Sequence, residues 1–148
     1  MMANEISFKQ TLFIKSTKKE VWNALVEPEI VKRYFLCPLK KIGLKENSPI
    51  IYGNKEFDLI IGRIISCDKN RKLVHSFKFL PPGHEGTDKD EETIVSYCIE
   101  EENGLVILTL LHEGFIEKNQ SYQNITGGWP FILSNLKTML ETGKTLYE

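Results

Sequence analysis

The 148-residue chain is 41% hydrophobic and 26% charged, an ordinary balance for a globular domain. Its 19 Lys and Arg face 20 Asp and Glu, and the resulting net charge of −1 excludes a strongly basic nucleic-acid surface. No apolar run approaches the roughly 20 residues that span a bilayer, and the opening residues lack the basic start and apolar block of a secretory leader, so one cytoplasmic domain over residues 1–148 is expected.

The first segment, Ile6 to Ile14, alternates, with Ile6, Phe8, Leu12 and Ile14 on one parity, which predicts a half-buried strand. Ser16 and Thr17 stop it. Thr17 followed by Glu20 forms a capping box, because the hydroxyl and the carboxylate can each satisfy an orphan amide at a helix start. The helix carries Val21, Trp22, Leu25 and Val26 on one face, with Trp22 as a core anchor. It should end near Glu27, because Pro28 disfavours a helical residue before it. Pro28 then suits the first turn of a short second helix through Ile30, Val31 and Tyr34.

From Leu39 to about Leu111 the pattern is of strands, about six in all, punctuated by Gly43, Pro49, Gly53-Asn54, Asp68 to Arg71, Pro81 to Gly86 and Asn103-Gly104. Asn103-Gly104 is a hairpin signal, since both residues tolerate positive φ, and it pairs Glu92–Glu101 with Leu105–Leu111. Asp68 to Arg71 joins Phe57–Cys67 to Lys72–Phe79. Leu73, His75, Phe77 and Phe79 share one face, and Lys72, Ser76 and Lys78 take the other. Val95, Tyr97 and Ile99 align in the next strand, and Val106, Leu108, Leu110 and His112 in the last. An antiparallel meander with one apolar face needs a cover. A C-terminal helix supplies it, with Trp129, Ile132, Leu133, Leu136, Met139 and Leu140 spaced by three and four residues. This helix is expected to start near Ser121, bend around Gly127, Gly128 and Pro130, and end at Gly143 in a left-handed cap. Pro81 to Glu92 is expected to be a solvated loop.

Cys37, Cys67 and Cys98 form no CxxC and are expected as reduced, mostly buried thiols. His75, His84 and His112 show no metal-ligand spacing, and no phosphate-binding loop or nucleophile elbow is present. The acidic Asp88 to Glu92 run lacks the spaced oxygens of a calcium loop. Arg63 and the clusters Lys15, Lys18, Lys19 and Lys32, Arg33 are expected on solvated faces. No metal and no cofactor is implied.

The order β-α-α-β6-α resembles the helix-grip fold of the START-related (SRPBCC) superfamily. Thr17 to Pro28 resembles the first helix of one branch, Gly62 to Phe77 its central hairpin, and Leu111 to Phe115 with Gly127 to Gly143 its last strand and closing helix. That branch is the activator of Hsp-90 ATPase homologue-like proteins, and the likeness covers nearly the whole chain. It implies an α+β fold in which a concave antiparallel sheet grips the long C-terminal helix around a cavity. It also implies three classes of function: carriage or sensing of a small lipophilic ligand, cyclase-like chemistry, and contact with a chaperone or other protein partner.

The residues expected to face the cavity are Tyr34, Phe35, Phe57, His75, Phe77, Phe79, Tyr97, Leu108, Leu110, His112, Trp129, Leu133 and Leu136. An aromatic wall with a few polar handles is the make-up of a small-molecule pocket. His75 and His112 either orient a ligand or, in an enzyme, serve as acid and base, because a free imidazole titrates near pH ~6.5. Ligand binding is the leading reading, with a protein-interaction module and then a cyclase-like enzyme behind it, as a monomer or homodimer without a membrane span.

Overall fold

Alternation builds β1 (Ile6–Ile14), whose inward residues are half-buried or buried while Ser7, Lys9, Thr11 and Phe13 face out. The computed structural model describes residues 6–87 and 89–148. Residues 1–5, part of the leader reading, and Asp88, the first residue of the acidic run, lie outside that set. Two short helices follow, α1 (Lys18–Val26) and α2 (Pro28–Tyr34). Thr17 caps α1 as expected, its Oγ1 accepting from the Glu20 amide at 3.1 Å. The other half of the capping box is redirected, because the Glu20 carboxylate accepts from Ser16 Oγ at 3.0 Å. Pro28 ends the run of α1 and occupies the first turn of α2.

Six strands come next: β2 (Leu39–Ile42), β3 (Pro49–Gly53), β4 (Asp58–Asp68), β5 (Lys72–Phe79), β6 (Thr93–Glu102) and β7 (Leu105–Phe115). With β1 they form one seven-stranded antiparallel sheet in the order β1-β7-β6-β5-β4-β3-β2. The β6–β7 hairpin turns on Asn103 and Gly104, at φ of 54° and 81°, between the paired residues Glu102 and Leu105. Positive φ at both central residues matches the twist of the flanking strands.

The inward face of β5, β6 and β7 is the predicted one, but β5 is also buried at Val74 and Ser76 on its other face. The sequence reading placed Ser76 with Lys72 and Lys78 on that other face, without signalling its burial. Backbone irregularity explains the difference: Arg63 N donates to Ser76 Oγ at 2.9 Å, so a side chain substitutes for a ladder carbonyl. β4 approaches so closely here that a Cβ at Gly62 would lie 1.9 Å from the Ser76 carbonyl oxygen. Only glycine fits such an approach.

The closing helix α3 (Gln120–Thr142) is continuous through Pro130 and is capped by Asn119, whose Oδ1 accepts from Tyr122 N at 2.9 Å. Its stripe of Ile125, Trp129, Ile132, Leu133, Leu136 and Met139 is buried against the sheet, and Gly143 ends it at φ 83°. Trp22 of α1 is 1% exposed, the anchor that its position on the apolar face predicts.

Most described residues of the segment between β5 and β6 are exposed, as expected, but Thr87, His84 and Asp90 anchor it to the domain. Thr87 is fully buried, with its hydroxyl donating to the His84 carbonyl at 2.5 Å. The His84 ring lies 4.2 Å from Phe79, and the Asp90 carboxylate accepts from Ser121 N at 3.0 Å in the first turn of α3. A carboxylate there meets the positive end of the helix dipole, which the polar composition of the segment conceals. Arg63 is exposed as expected, whereas Arg33 is tied to the Gly143 carbonyl at 2.9 Å and to Glu148 at 3.0 Å. The three cysteines are free and half-buried.

Candidate functional site

The site grows from the irregular joint between α2 and β2. Phe35 follows the last residue of α2 with extended backbone, at φ −81° and ψ 167°. Its half-buried ring stacks on Tyr52 of β3, with centroids 4.6 Å apart and planes at 15°. Its edge meets Trp129 of α3 at 6.1 Å. Beside it Leu36 is 61% exposed and faces Gly128 of α3, where a Cβ would stand 3.6 Å from Leu36 Cδ1.

A crevice of about 30 Å³ runs between this joint and α3. Four of the predicted residues line it, namely Phe35, Phe77, Phe79 and Trp129, joined by Leu36, Ile60, Asn124, Ile125, Gly128 and Ile132. The expectation of an open cavity is therefore corrected in scale. The volume has room for about two waters, against the roughly 300–1,000 Å³ of a ligand pocket, because the aromatic side chains pack against one another.

The remaining predicted residues sit behind or away from the crevice. Tyr34, His75, Tyr97, Leu108, Leu110, His112, Leu133 and Leu136 are buried in the core. Tyr34 is committed to structure: its hydroxyl donates to the Ala24 carbonyl at 2.6 Å, and its own carbonyl accepts from Asn135 Nδ2 at 3.2 Å. Phe57 is a correction. It is 44% exposed in the turn before β4, where Asn54 Oδ1 accepts from the amides of Glu56 and Phe57, both at 2.9 Å. That side-chain-to-backbone turn delays the start of the strand by one residue and leaves the ring outside.

The two histidines have different environments. Trp129 Nε1–H donates to His112 Nδ1 at 3.0 Å. An indole N–H can only donate, so His112 Nδ1 holds a lone pair and Nε2 carries the proton. Nε2–H then donates to Thr93 Oγ1 at 2.7 Å, and the Thr93 hydroxyl donates to the Phe77 carbonyl at 3.1 Å. Every group in this chain is satisfied. Burial, and then the neighbouring His75, lower the His112 pKa to about 3.

His75 Nδ1 lies 2.7 Å from the Ser76 carbonyl, which can only accept, so Nδ1 carries the proton. The other nitrogen, Nε2, is buried with no hydrogen-bond partner. Burial lowers the His75 pKa to about 4, against an opposing effect from the Ser76 hydrogen bond. Both imidazoles are thus neutral at neutral pH, and His112 has both nitrogens engaged. The pair lacks the proton that an acid partner would donate.

Three phenols complete the cluster. Burial, and then their mutual proximity, hold Tyr34 and Tyr97 far above the usual tyrosine range. Burial also raises Tyr52, with Cys37 beside it as the second cause, and pushes the Cys37 thiol up to about 11. The result is an aromatic, uncharged crevice, with one unused acceptor, His75 Nε2, in the core behind it. Tyr52 and Thr93 were missed in the sequence. The alternation of Ile50 and Tyr52 signals the first, whereas nothing local signals that Thr93 meets a histidine 19 residues later.

The family model for activator of Hsp90 ATPase homolog 1-like protein matches residues 15–141. This chain belongs to that family. It is a member of the activator of Hsp90 ATPase homologue-like branch of the START-related superfamily, with the helix-grip fold. Solved structures share that fold at low identity. The solution structure of the Aha1 dimer from Colwellia psychrerythraea matches with a TM-score of 0.76 at 16% identity, covering 94% of this chain and 98% of that one. An HSP90 activator from Plasmodium falciparum matches at 0.72 and 18% identity, covering 91% and 96%. CalU16 from Micromonospora echinospora matches at 0.72 and 21% identity, covering 94% and 78%. No curated protein matches the sequence. Among the described residues no helix is long and apolar enough to cross a membrane.

Proposed function

We propose that this chain binds a small, largely apolar molecule between the curved sheet and α3, at the crevice bounded by Phe35, Leu36, Trp129 and Ile132. The observation that carries the reading is the apolar crevice between the α2–β2 joint and α3, lined by Phe35, Leu36, Ile60, Phe77, Phe79 and Trp129 with no charged side chain. The crevice is only about 30 Å³, so binding requires Phe35 and Leu36 to move aside. Both belong to the irregular joint rather than to a strand ladder, and Leu36 is already mostly in solvent.

The test is titration of ¹⁵N-labelled protein with benzofuran, followed at the Trp129 indole cross-peak. Saturable shifts are expected in the wild type. Gly128→Leu should weaken them at least tenfold by plugging the mouth, while better helix propensity preserves the fold. Absence of saturable shifts, or equal binding by the two proteins, refutes the reading.

The small volume favours a second reading, contact with a chaperone through the surface, in keeping with the family description and the Plasmodium falciparum relative. Stimulation of a purified HSP90 ATPase by this chain, unaffected by Gly128→Leu, would support it over the first.

A further inference from the structure

We propose that residues 143–148 form a strap that latches the α2–β2 joint against α3 through Asn135 and Arg33, so that release of the strap frees residues 35–38 to swing. The latch holds whether or not a ligand binds, but the joint it restrains is the one that binding must move.

Helix chemistry leaves the joint in need of an outside partner. The Tyr34 carbonyl closes α2, and a helix leaves its last carbonyls unpaired. Continuing the helix could not serve it, because four residues on stands Pro38, which has no amide. Asn135 of α3 supplies the donor, its Nδ2 reaching the Tyr34 carbonyl at 3.2 Å. Asn135 is only 2% exposed, and its Oδ1 accepts from Leu146 N at 2.7 Å. One buried planar amide therefore joins the end of α2 to the strap. A carbonyl only accepts and a backbone N–H only donates, so these two partners fix which way the amide points.

Arg33, one residue before Tyr34, makes the second tie. Its guanidinium donates to the Gly143 carbonyl at 2.9 Å and to Glu148 Oε1 at 3.0 Å. Glu148 Oε1 also accepts from Thr145 N at 3.2 Å, which folds the strap into a turn. Apart from the buried Thr145, the strap covers little apolar area: Leu146 and Tyr147 are 51% and 82% exposed, and the Tyr147 ring meets Phe131 with centroids 5.7 Å apart. A segment held by a few hydrogen bonds, each modest net of water, opens well before the domain unfolds. At its far end the joint is tied to β3, where Gly53 N donates to the Pro38 carbonyl at 2.9 Å. Phe35, Leu36 and Cys37 lie between the two anchors, and only the near anchor depends on the strap.

Cys37 is the chain's own reporter. It is half-buried in the joint, and burial pushes its thiol up to about 11. Opening the joint restores the thiolate, the form that iodoacetamide alkylates. Cys67 in β4 and Cys98 in β6 serve as controls. The test is alkylation resolved by residue with peptide mass spectrometry, on the wild type, Leu146→Pro (which removes the amide that Asn135 accepts from), Arg33→Ala and the double variant. Cys37 should react about threefold faster in each single variant and at least about tenfold faster in the double one, with Cys67 and Cys98 within about twofold of the wild type. Loss of the Phe131–Tyr147 ring NOE reports that the strap has left. An unchanged Cys37 rate with that NOE lost overturns the latch, and so does an NOE retained in the double variant. Equal acceleration of all three thiols in both single variants means general loosening and overturns it too. Benzofuran titration of the double variant separates this inference from the binding reading: a faster Cys37 with no saturable binding keeps the latch and sinks that reading, whereas a faster Cys37 with tighter binding supports both.

Discussion

Acid should unfold this protein through two residues. His75 and His112 are buried and neutral, with pKa values of about 4 and about 3 against 6.5 for a free imidazole. The folded values lie below the unfolded one, so the unfolded chain binds more protons throughout the window between them. Stability present above about pH 6.5 is then withdrawn as the pH falls. Each histidine approaches the limiting slope of about 1.4 kcal/mol per pH unit. Integration between pH 6 and pH 5 removes about 1.2 kcal/mol per histidine, or about 2.4 kcal/mol in all. This is a large share of the stability of a domain that has only about 5–15 kcal/mol to lose. Equilibrium urea unfolding at half-unit pH intervals measures it directly. A loss below about 1 kcal/mol over that interval refutes the assignment of two neutral core imidazoles.

Other expectations follow from single contacts. Thr93→Val keeps the shape but strands the His112 Nε2 proton and removes a donor from the Phe77 carbonyl, so urea unfolding should show a loss of about 2–3 kcal/mol. Gly62→Ala drives a methyl into the Ser76 carbonyl and should cost about 3 kcal/mol or prevent folding, measured by the same assay. Phe57→Ser should change stability by less than about 0.5 kcal/mol and leave benzofuran binding intact, because the ring is outside the site. Phe35→Ala should tighten benzofuran binding about tenfold by enlarging the crevice, and weaker binding would show that the Phe35 ring is a wall the ligand needs.

Periodicity and turn chemistry carried most of the fold. Val21, Trp22, Leu25 and Val26 could be placed on one helix face, and the β6–β7 turn on Asn103-Gly104, because those signals act within a few residues. The burial of Ser76 was not legible, since it depends on how β4 pairs beside β5, a relation between residues 13 apart in the sequence. The anchoring of the otherwise exposed loop after β5 was hidden for a related reason: Asp90 reads as solvated until the N-terminus of α3 is brought to it.

The site was legible in kind more than in membership. Strand parity correctly turned His75, Phe77 and His112 inward, but parity cannot tell a cavity wall from a packed core. Phe35, Phe77, Phe79 and Trp129 reach the crevice, whereas Leu108, Leu133 and Leu136 lie deeper because they sit where the helix presses on the sheet. The roles of the two histidines separated only with their partners in place, Trp129 and Thr93 for one and the Ser76 carbonyl for the other.

Native mass spectrometry of the protein, purified gently from its own host, tests the central claim most directly. The account predicts a stoichiometric adduct of a neutral small molecule that is lost in Gly128→Leu. A bare chain in the wild type, or an adduct retained unchanged in Gly128→Leu, would contradict it.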